Sequence, residues 1–386
     1  MSFLRTSATR RLSMTAKQLI SPTYPAEMKE AIIHKGPKVE IIDSPIPTPE
    51  PDQVVTKVVV SGSNPKDWKR PEYTGKSSNQ GDDIAGVVHT VGSNVVEFKP
   101  GDRVAAFHQM MSPGGSYAEY AVSWAHTTFH IPKKTSFEEA ATIPLAAMTA
   151  AFGLYQRLGL PPPWRPTVTP IPVVIYGAAS AVGSYAIQLA QQSNIHPLIC
   201  IAGRGIPHVE GLIDKSKGDV VFDYREGHEQ LVQNLKAAVQ NAGGKVEYAF
   251  DAVSEHGSYE NICQVLDHKT GKITLVLPGK EYQEIPDSVK KSLTSVGSSQ
   301  IGTDMDPWQK KTGMQTGNEE FAMAMFRYFG RGLQKGFFKG HPYEVVPGGL
   351  GGVQAALQNL KDGKASAVKY VFRIEETEGV SRYNTD

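Results

Sequence analysis

The sequence predicts a two-domain mixed α/β chain: an irregular β domain, a parallel sheet covered by helices, and a closing segment that returns to β character. Three observations carry this. The chain has 386 residues, too many for one ordinary domain and suited to two. Short β runs punctuated by glycine and proline fill the first third. From residue 173 onward, apolar runs of strand length alternate with helical periods, which is the pattern of βαβ units.

The β runs come in order. KEAIIH and KVEIIDSPIP flank Gly36-Pro37, and VVTKVVVSG is a stronger strand. IAGVVHTVGSNVVEF and GDRVAAFH follow, with turns at Gly92 and Pro100-Gly101-Asp102; SYAEYAVS and HTTFHIP are two more. At Ser136 the period changes. Ser136 with Glu139 three residues later forms a capping box opening SFEEAATIPLAAMTAAFGLYQRL. Pro161-Pro162-Pro163 and Pro166 make a stiff connector. VVIYG, PLICIAG, DVVFDY, VEYAFDAV and KITLVLPG are then apolar strands separated by helices, so the sheet is parallel and covered on both faces. NEEFAMAMFRYFGRGLQKG and GLGGVQAALQNLKDG are late helices, and VKYVFRI is a closing strand.

Composition narrows the function classes. Lys and Arg total 40 against 39 Asp and Glu, a net of +1, so there is no basic footprint for nucleic acid. Two cysteines, Cys200 and Cys263, cannot build a disulfide scaffold or a thiolate metal site, and they suit a reducing compartment. The uncharged stretch 166–203 is long enough to span a bilayer, but its prolines, glycines and glutamines fit a buried strand–turn–helix–strand unit better. Residues 1–26 contain Arg5, Arg10, Arg11 and Lys17, many hydroxyl residues and no acid. Mitochondrial presequences and disordered tails share that composition. The expected location is therefore cytoplasmic, with mitochondrial as the alternative.

Val173-Val174-Ile175-Tyr176-Gly177 is a strand ending on glycine, and Ala178-Ala179-Ser180-Ala181-Val182-Gly183 opens a helix. A tight turn of small residues before a helix N-terminus can hold a pyrophosphate on backbone N–H groups. Ala179 stands where the full glycine fingerprint has its middle glycine. The next strand ends Ile201-Ala202-Gly203-Arg204, with no acid for a ribose 2′-hydroxyl. A guanidinium there suits a 2′-phosphate, with Lys215 and Lys217 shortly after, so the expected cofactor is NADPH.

With these features the chain resembles the medium-chain dehydrogenase/reductase superfamily. The resemblance covers 27–374 and is strongest to its zinc-free branch of quinone oxidoreductases and fungal trans-acting enoyl reductases. It rests on Asn64-Pro65-Lys66-Asp67-Trp68-Lys69, Gly81-Asp82-Asp83-Ile84-Ala85-Gly86, Pro100-Gly101-Asp102-Arg103-Val104 and Gly115-Ser116-Tyr117-Ala118-Glu119-Tyr120. Ala140-Ala141-Thr142-Ile143-Pro144 with Thr149-Ala150, Phe222-Asp223-Tyr224-Arg225, and Gly363-Lys364 with Lys369-Tyr370-Val371 continue it. The implied fold is a GroES-like β domain (27–150 and 333–386) with an inserted Rossmann domain (151–332).

The resemblance also implies a site. Zinc-dependent relatives have a cysteine at the position of Asn64 and a His-Glu pair at Asp82-Asp83, so no metal is expected. His126 and His130 read as strand and loop residues. Lys69 is expected at the nicotinamide ribose, Thr149 at the carboxamide or substrate carbonyl, and Asn64 fixing the loop or the substrate. Lys66, Asp67, Trp68, Leu277 and Lys369 are assigned to the cofactor, as are Gly177, Ser180, Ala181, Val182, Gly183, Arg204 and Tyr224. Tyr73 is a further proton-donor candidate on proximity alone. The implied reaction is zinc-independent, NADPH-dependent reduction of an α,β-unsaturated carbonyl. The alternatives are quinone reduction and slow-turnover NADPH sensing. The partner is a small molecule, with no nucleic acid or membrane, and the chain is expected as a monomer or homodimer.

Overall fold

The computed structural model describes residues 27–300 and 318–380. The expectation for the first 26 residues lies outside the described residues.

The chain opens with the antiparallel hairpin β1 (Glu27–His34) and β2 (Lys38–Pro45). β3 (Gln53–Gly62) is the centre of the β domain, because Val54, Val55, Val58 and Val60 are all buried. Branched side chains suit a strand packed on both sides. α1 (Lys66–Thr74) follows, then β4 (Asp83–Val91), β5 (Arg103–Phe107), β6 (Tyr120–Trp124) and β7 (Thr128–His130). Pro71 lies inside α1. An interior proline argues against a helix on sequence, and the sequence pattern gives no helix here. The HTTFHIP run is a strand only from Thr128; Ala125–Thr127 form a 3-10 turn.

α2 (Phe137–Ala140) starts on Ser136, whose hydroxyl accepts the Glu139 N–H at 3.0 Å, as the capping box requires. α3 (Pro144–Ala151) is buried at every position. It packs in one core with Val60, Phe107 and Phe129 of the β domain and Val173, Ile175 and Phe250 of the next. A helix apolar all round needs cover on all sides, and two domains supply it.

The second domain runs β8 (Val173–Tyr176), α4 (Ala181–Gln192), β9 (Leu198–Ala202), α5 (Ile206–Glu210), β10 (Val220–Asp223), α6 (His228–Asn241), β11 (Tyr248–Asp251), α7 (Ser258–Cys263), β12 (Lys272–Leu275) and β13 (Lys290–Leu293). Every pairing is parallel, in the order β10-β9-β8-β11-β12-β13. That is the doubly wound order with its switch point between β8 and β11, where ligands bind at the strands' carboxyl ends.

α8 (Glu319–Lys335) then returns to the first domain: Arg327 donates to the carbonyls of Thr128 and Ala125. The expected boundaries at 150/151 and 332/333 thus fall inside α3 and α8. β14 (Tyr343–Val345), α9 (Val353–Lys361) and β15 (Lys369–Arg373) end the fold, with β15 antiparallel to β3. The last strand completes the first domain's sheet, whose path is β14-β15-β3-β4-β5-β7, with β6 also on β3.

Candidate functional site

The dinucleotide turn is built as its residues dictate. Gly177 ends β8 with φ +73°, and a Cβ there would meet Val253 Cγ2 at 2.5 Å. Ser180 caps α4, its hydroxyl accepting the Gly183 N–H at 3.1 Å. A Cβ on Gly183 would stand 2.3 Å from the Gly177 carbonyl oxygen, so helix and strand approach only with glycine there. The first-turn N–H groups at Ala181 and Val182 have no acceptor inside the helix and suit an anion.

Gly203, Arg204 and Tyr224 gather at the carboxyl ends of β9 and β10. A Cβ on Gly203 would lie 2.7 Å from the Tyr224 ring, which is stacked on Tyr176 with centroids 6.4 Å apart. Arg204 donates through Nη2 to the Gly363 carbonyl at 2.8 Å. The 363–369 loop also covers the turn: a Cβ on Gly205 would touch the Cβ atoms of both Ala179 and Ala367. These residues fit a dinucleotide, with small residues at the turn and an exposed guanidinium beyond it.

Lys69 reaches this region from the other domain. It lies on α1, and its Nζ meets Glu255 Oε2 at 2.6 Å. Glu255 lies two residues past Val253, the residue against Gly177. The pair therefore bridges the domains beside the dinucleotide turn. Leu277, just past β12, is nearby: the adjacent Val276 N–H donates to Ser254 Oγ at 2.9 Å.

Other expected cofactor residues face inward. Lys66 Nζ contacts Asp82 Oδ2 at 2.5 Å, Asp67 Oδ1 at 2.8 Å and the Gln80 carbonyl at 2.6 Å. Asp67 Oδ2 accepts the Tyr117 hydroxyl at 2.6 Å and the Asn64 N–H at 2.7 Å. Lys369 Nζ meets Asp83 Oδ2 at 2.6 Å and Asn64 Oδ1 at 3.1 Å, while Asn64 Nδ2 donates to the same Asp83 oxygen at 2.6 Å. Asp83 Oδ1 accepts the Leu145 N–H at 2.7 Å, which ties this network to the start of α3. Burial pushes the Asp82 carboxyl up, but Lys66 and His108 outweigh it and hold it below the ordinary range. The structure thus does not bring Lys66, Asp67 and Lys369 to the cleft: buried carboxylates need cations, and these lysines supply them. Trp68 packs beside the β-domain core, with Lys69 Nζ 5.8 Å and Lys361 Nζ 5.6 Å from its ring centroid.

The alcohol dehydrogenase GroES-like domain model matches residues 50–133. The trans-enoyl reductase fsr4 of Gibberella fujikuroi is 56% identical over 344 residues, 88% of this chain and 97% of that protein. This chain belongs to the trans-enoyl reductase family. A second relative, trans-enoyl reductase ACTTS2 of Alternaria alternata, is 30% identical over 89% of this chain and 98% of its own length. Among solved structures, a putative zinc-dependent alcohol dehydrogenase from Rhizobium etli aligns with TM-score 0.74 and 22% identity, covering 91% of this chain and 99% of that one. The CurK enoyl reductase aligns with TM-score 0.66 and 20% identity, over 89% and 98%. These share the fold, and membership of the superfamily brings a nicotinamide dinucleotide.

A divalent cation does not fit at the Asn64, Asp82 and Asp83 positions of this trans-enoyl reductase. Both carboxylates are already paired with lysines, and no cluster of three metal-ligating side chains occurs among the described residues. His126 and His130 bond to the carbonyls of Ser299 and Glu97. Thr149 is 6% exposed and donates its hydroxyl to the Leu145 carbonyl at 2.8 Å, one helical turn back. Only its oxygen's acceptor capacity remains. Tyr73 is 73% exposed at the far end of α1. Sequence reasoning missed Glu255 and the role of Asp83. Asp251, the acid ending the fourth strand of the parallel sheet, was the available signal for the Glu255 loop.

Proposed function

We propose that the protein reduces the C=C bond of an α,β-unsaturated carbonyl, either an enoyl thioester, an enal or an enone, with NADPH as the hydride source. The observation that carries this reading is the Lys69–Glu255 contact, which puts an ammonium from the β domain beside the dinucleotide turn. When bound, the nicotinamide supplies a hydride to the β-carbon. Negative charge then collects on the carbonyl oxygen, and the Lys69 ammonium is a cation of this chain available to stabilise it or to orient the ribose. Thr149 and Asn64 act by position: Thr149 on the helix shared by both domains, Asn64 by holding Lys369 and Asp83 together beneath it. Conjugate reduction spreads charge into an enolate, whereas an isolated carbonyl would need a stronger Lewis acid.

Specificity for NADPH follows from Arg204. Its guanidinium is exposed, engages only the backbone carbonyls of Gly363 and Lys364 among the described residues, and shares the end of β9 and β10 with Tyr224. A 2′-phosphate would replace a neutral acceptor with a doubly charged one.

The test is a panel. The protein is mixed with NADPH or NADH and, separately, an enoyl thioester, an enal, an ortho-quinone and a para-quinone. Oxidation of NADPH with the thioester or enal, and saturated product by mass spectrometry, is the expected result. Turnover confined to quinones assigns it instead to quinone reduction, and cofactor binding without turnover assigns it to sensing.

A further inference from the structure

We infer that Glu255 is the positioning residue for Lys69 and the acceptor for a sugar hydroxyl of the dinucleotide. The inference rests on the proposed role of Lys69.

The loop carrying Glu255 is strained and over-determined. Ser254 and His256, on either side of it, have φ +59° and +57°, a region that side-chain-bearing residues seldom occupy. Such conformations are costly and persist only where surrounding bonds impose them. At Ser254, Asp251 imposes it. Its Oδ1 accepts the N–H groups of Val253 at 3.0 Å and Ser254 at 2.8 Å, and its Oδ2 accepts the Ser258 hydroxyl at 2.5 Å. Ser254 donates its hydroxyl to the Asp251 carbonyl at 3.1 Å and accepts the Val276 N–H at 2.9 Å. The Ala252 N–H donates to the Tyr176 carbonyl of β8 at 3.0 Å. Every residue of the loop before Glu255 is thus tied to β8, β11 or the end of β12, and Glu255 is held at the switch point of the sheet.

A carboxylate there does not serve phosphate binding, since it repels the pyrophosphate that the neighbouring turn suits. It serves a cation. Lys69 Nζ sits on Oε2, and the pair is only 18% and 28% exposed. Oε1 has no partner among the described residues. It is left to accept a hydroxyl. A rigid anion holding a flexible ammonium removes rotamer freedom from Lys69 before the cofactor arrives.

The experiment is a double-mutant cycle on the full chain with Glu255→Gln and Lys69→Met, each alone and together. Single-turnover hydride transfer and the Kd of NADPH are measured for each. Lys69 acylation by an N-hydroxysuccinimide ester, read by peptide mass spectrometry, is followed in cofactor-free wild type and Glu255→Gln. Thermal melting controls for folding. Glu255→Gln should slow hydride transfer about tenfold in the wild-type background and less than about twofold in the Lys69→Met background, and it should make Lys69 label several-fold faster. An equal loss in both backgrounds overturns the inference, as does unchanged labelling. Faster hydride transfer in Glu255→Gln also overturns it, making the pair a latch. Wild-type rates in Lys69→Met alone would instead remove the role of Lys69 on which it rests.

Discussion

Two of the lysine–carboxylate contacts around the segment from Asn64 to Lys69 behave as opposites. The Lys369–Asp83 pair is 4% and 0% exposed, inside the β domain, with Asn64 and the Leu145 N–H completing its bonds. The Lys69–Glu255 pair spans the cleft and keeps contact with water. Removing one member of a buried pair strands a charge and costs about 3–5 kcal/mol, whereas an exposed pair is worth about 0–1 kcal/mol. The fold depends on the first pair, whereas the second adds little to stability. Lysines around one motif therefore differ in the burial of their carboxylate partners: Asp67, Asp82 and Asp83 are buried, whereas Glu255 is 28% exposed.

The largest effect should break that contrast from the buried side. Lys369→Met keeps length and removes charge, so Asp83 is left uncompensated. Urea unfolding should report a loss of about 3–5 kcal/mol, while Lys69→Met should lose no more than about 1 kcal/mol. Adding Asp83→Asn to Lys369→Met should recover part of the loss. Equal stability losses at Lys369 and Lys69 would erase the distinction.

A smaller effect concerns the outer end of the cleft. Arg204→Ala should weaken NADPH by about 1.5–3 kcal/mol and leave NADH nearly unchanged, read by fluorescence titration of each cofactor. Parallel weakening of both would mean that Arg204 only braces the 363–364 turn.

The smallest effect sharpens the comparison with a buried group that has no counter-ion. His341 is 2% exposed, and neither ring nitrogen has a partner among the described residues. Burial first, then the positive charge on His208 and Lys369, lowers its pKa to about 3. Its folded pKa lies below the unfolded value, so its contribution is present above about pH 6.5 and is lost as pH falls toward 3. Between pH 7 and 5 this removes about 2 kcal/mol from wild type. Asp251, raised to about 6 by burial, works in the opposite direction over the same interval. His341→Leu should therefore stabilise the protein at pH 5 relative to wild type and leave it near neutral at pH 7. An identical pH dependence of the melting temperature in both proteins would count against this assignment.

Much of the fold was legible because local signals agreed. Apolar strands alternated with helices from Val173, Ser136 was an evident cap, and Gly177 and Gly183 marked the close turn. α1 was not legible, because Pro71 contradicts a helix whose residues are held by Lys66, Asp67 and the core contact of Trp68. Glu255 was not legible either, since nothing local distinguishes it from other surface acids until Lys69 arrives from 186 residues away.

The sequence by itself determined which elements form, the parallel α/β order, the small-residue turn and the replacement of an acid by Arg204. Periodicity, capping and steric demand act between near neighbours and are written in consecutive residues. Only the tertiary structure decided which lysines are buried counter-ions and which one crosses the cleft. Burial and ion pairing depend on what the rest of the chain brings to the same point in space, and for Glu255 and Lys369 those partners are 186 and 286 residues distant.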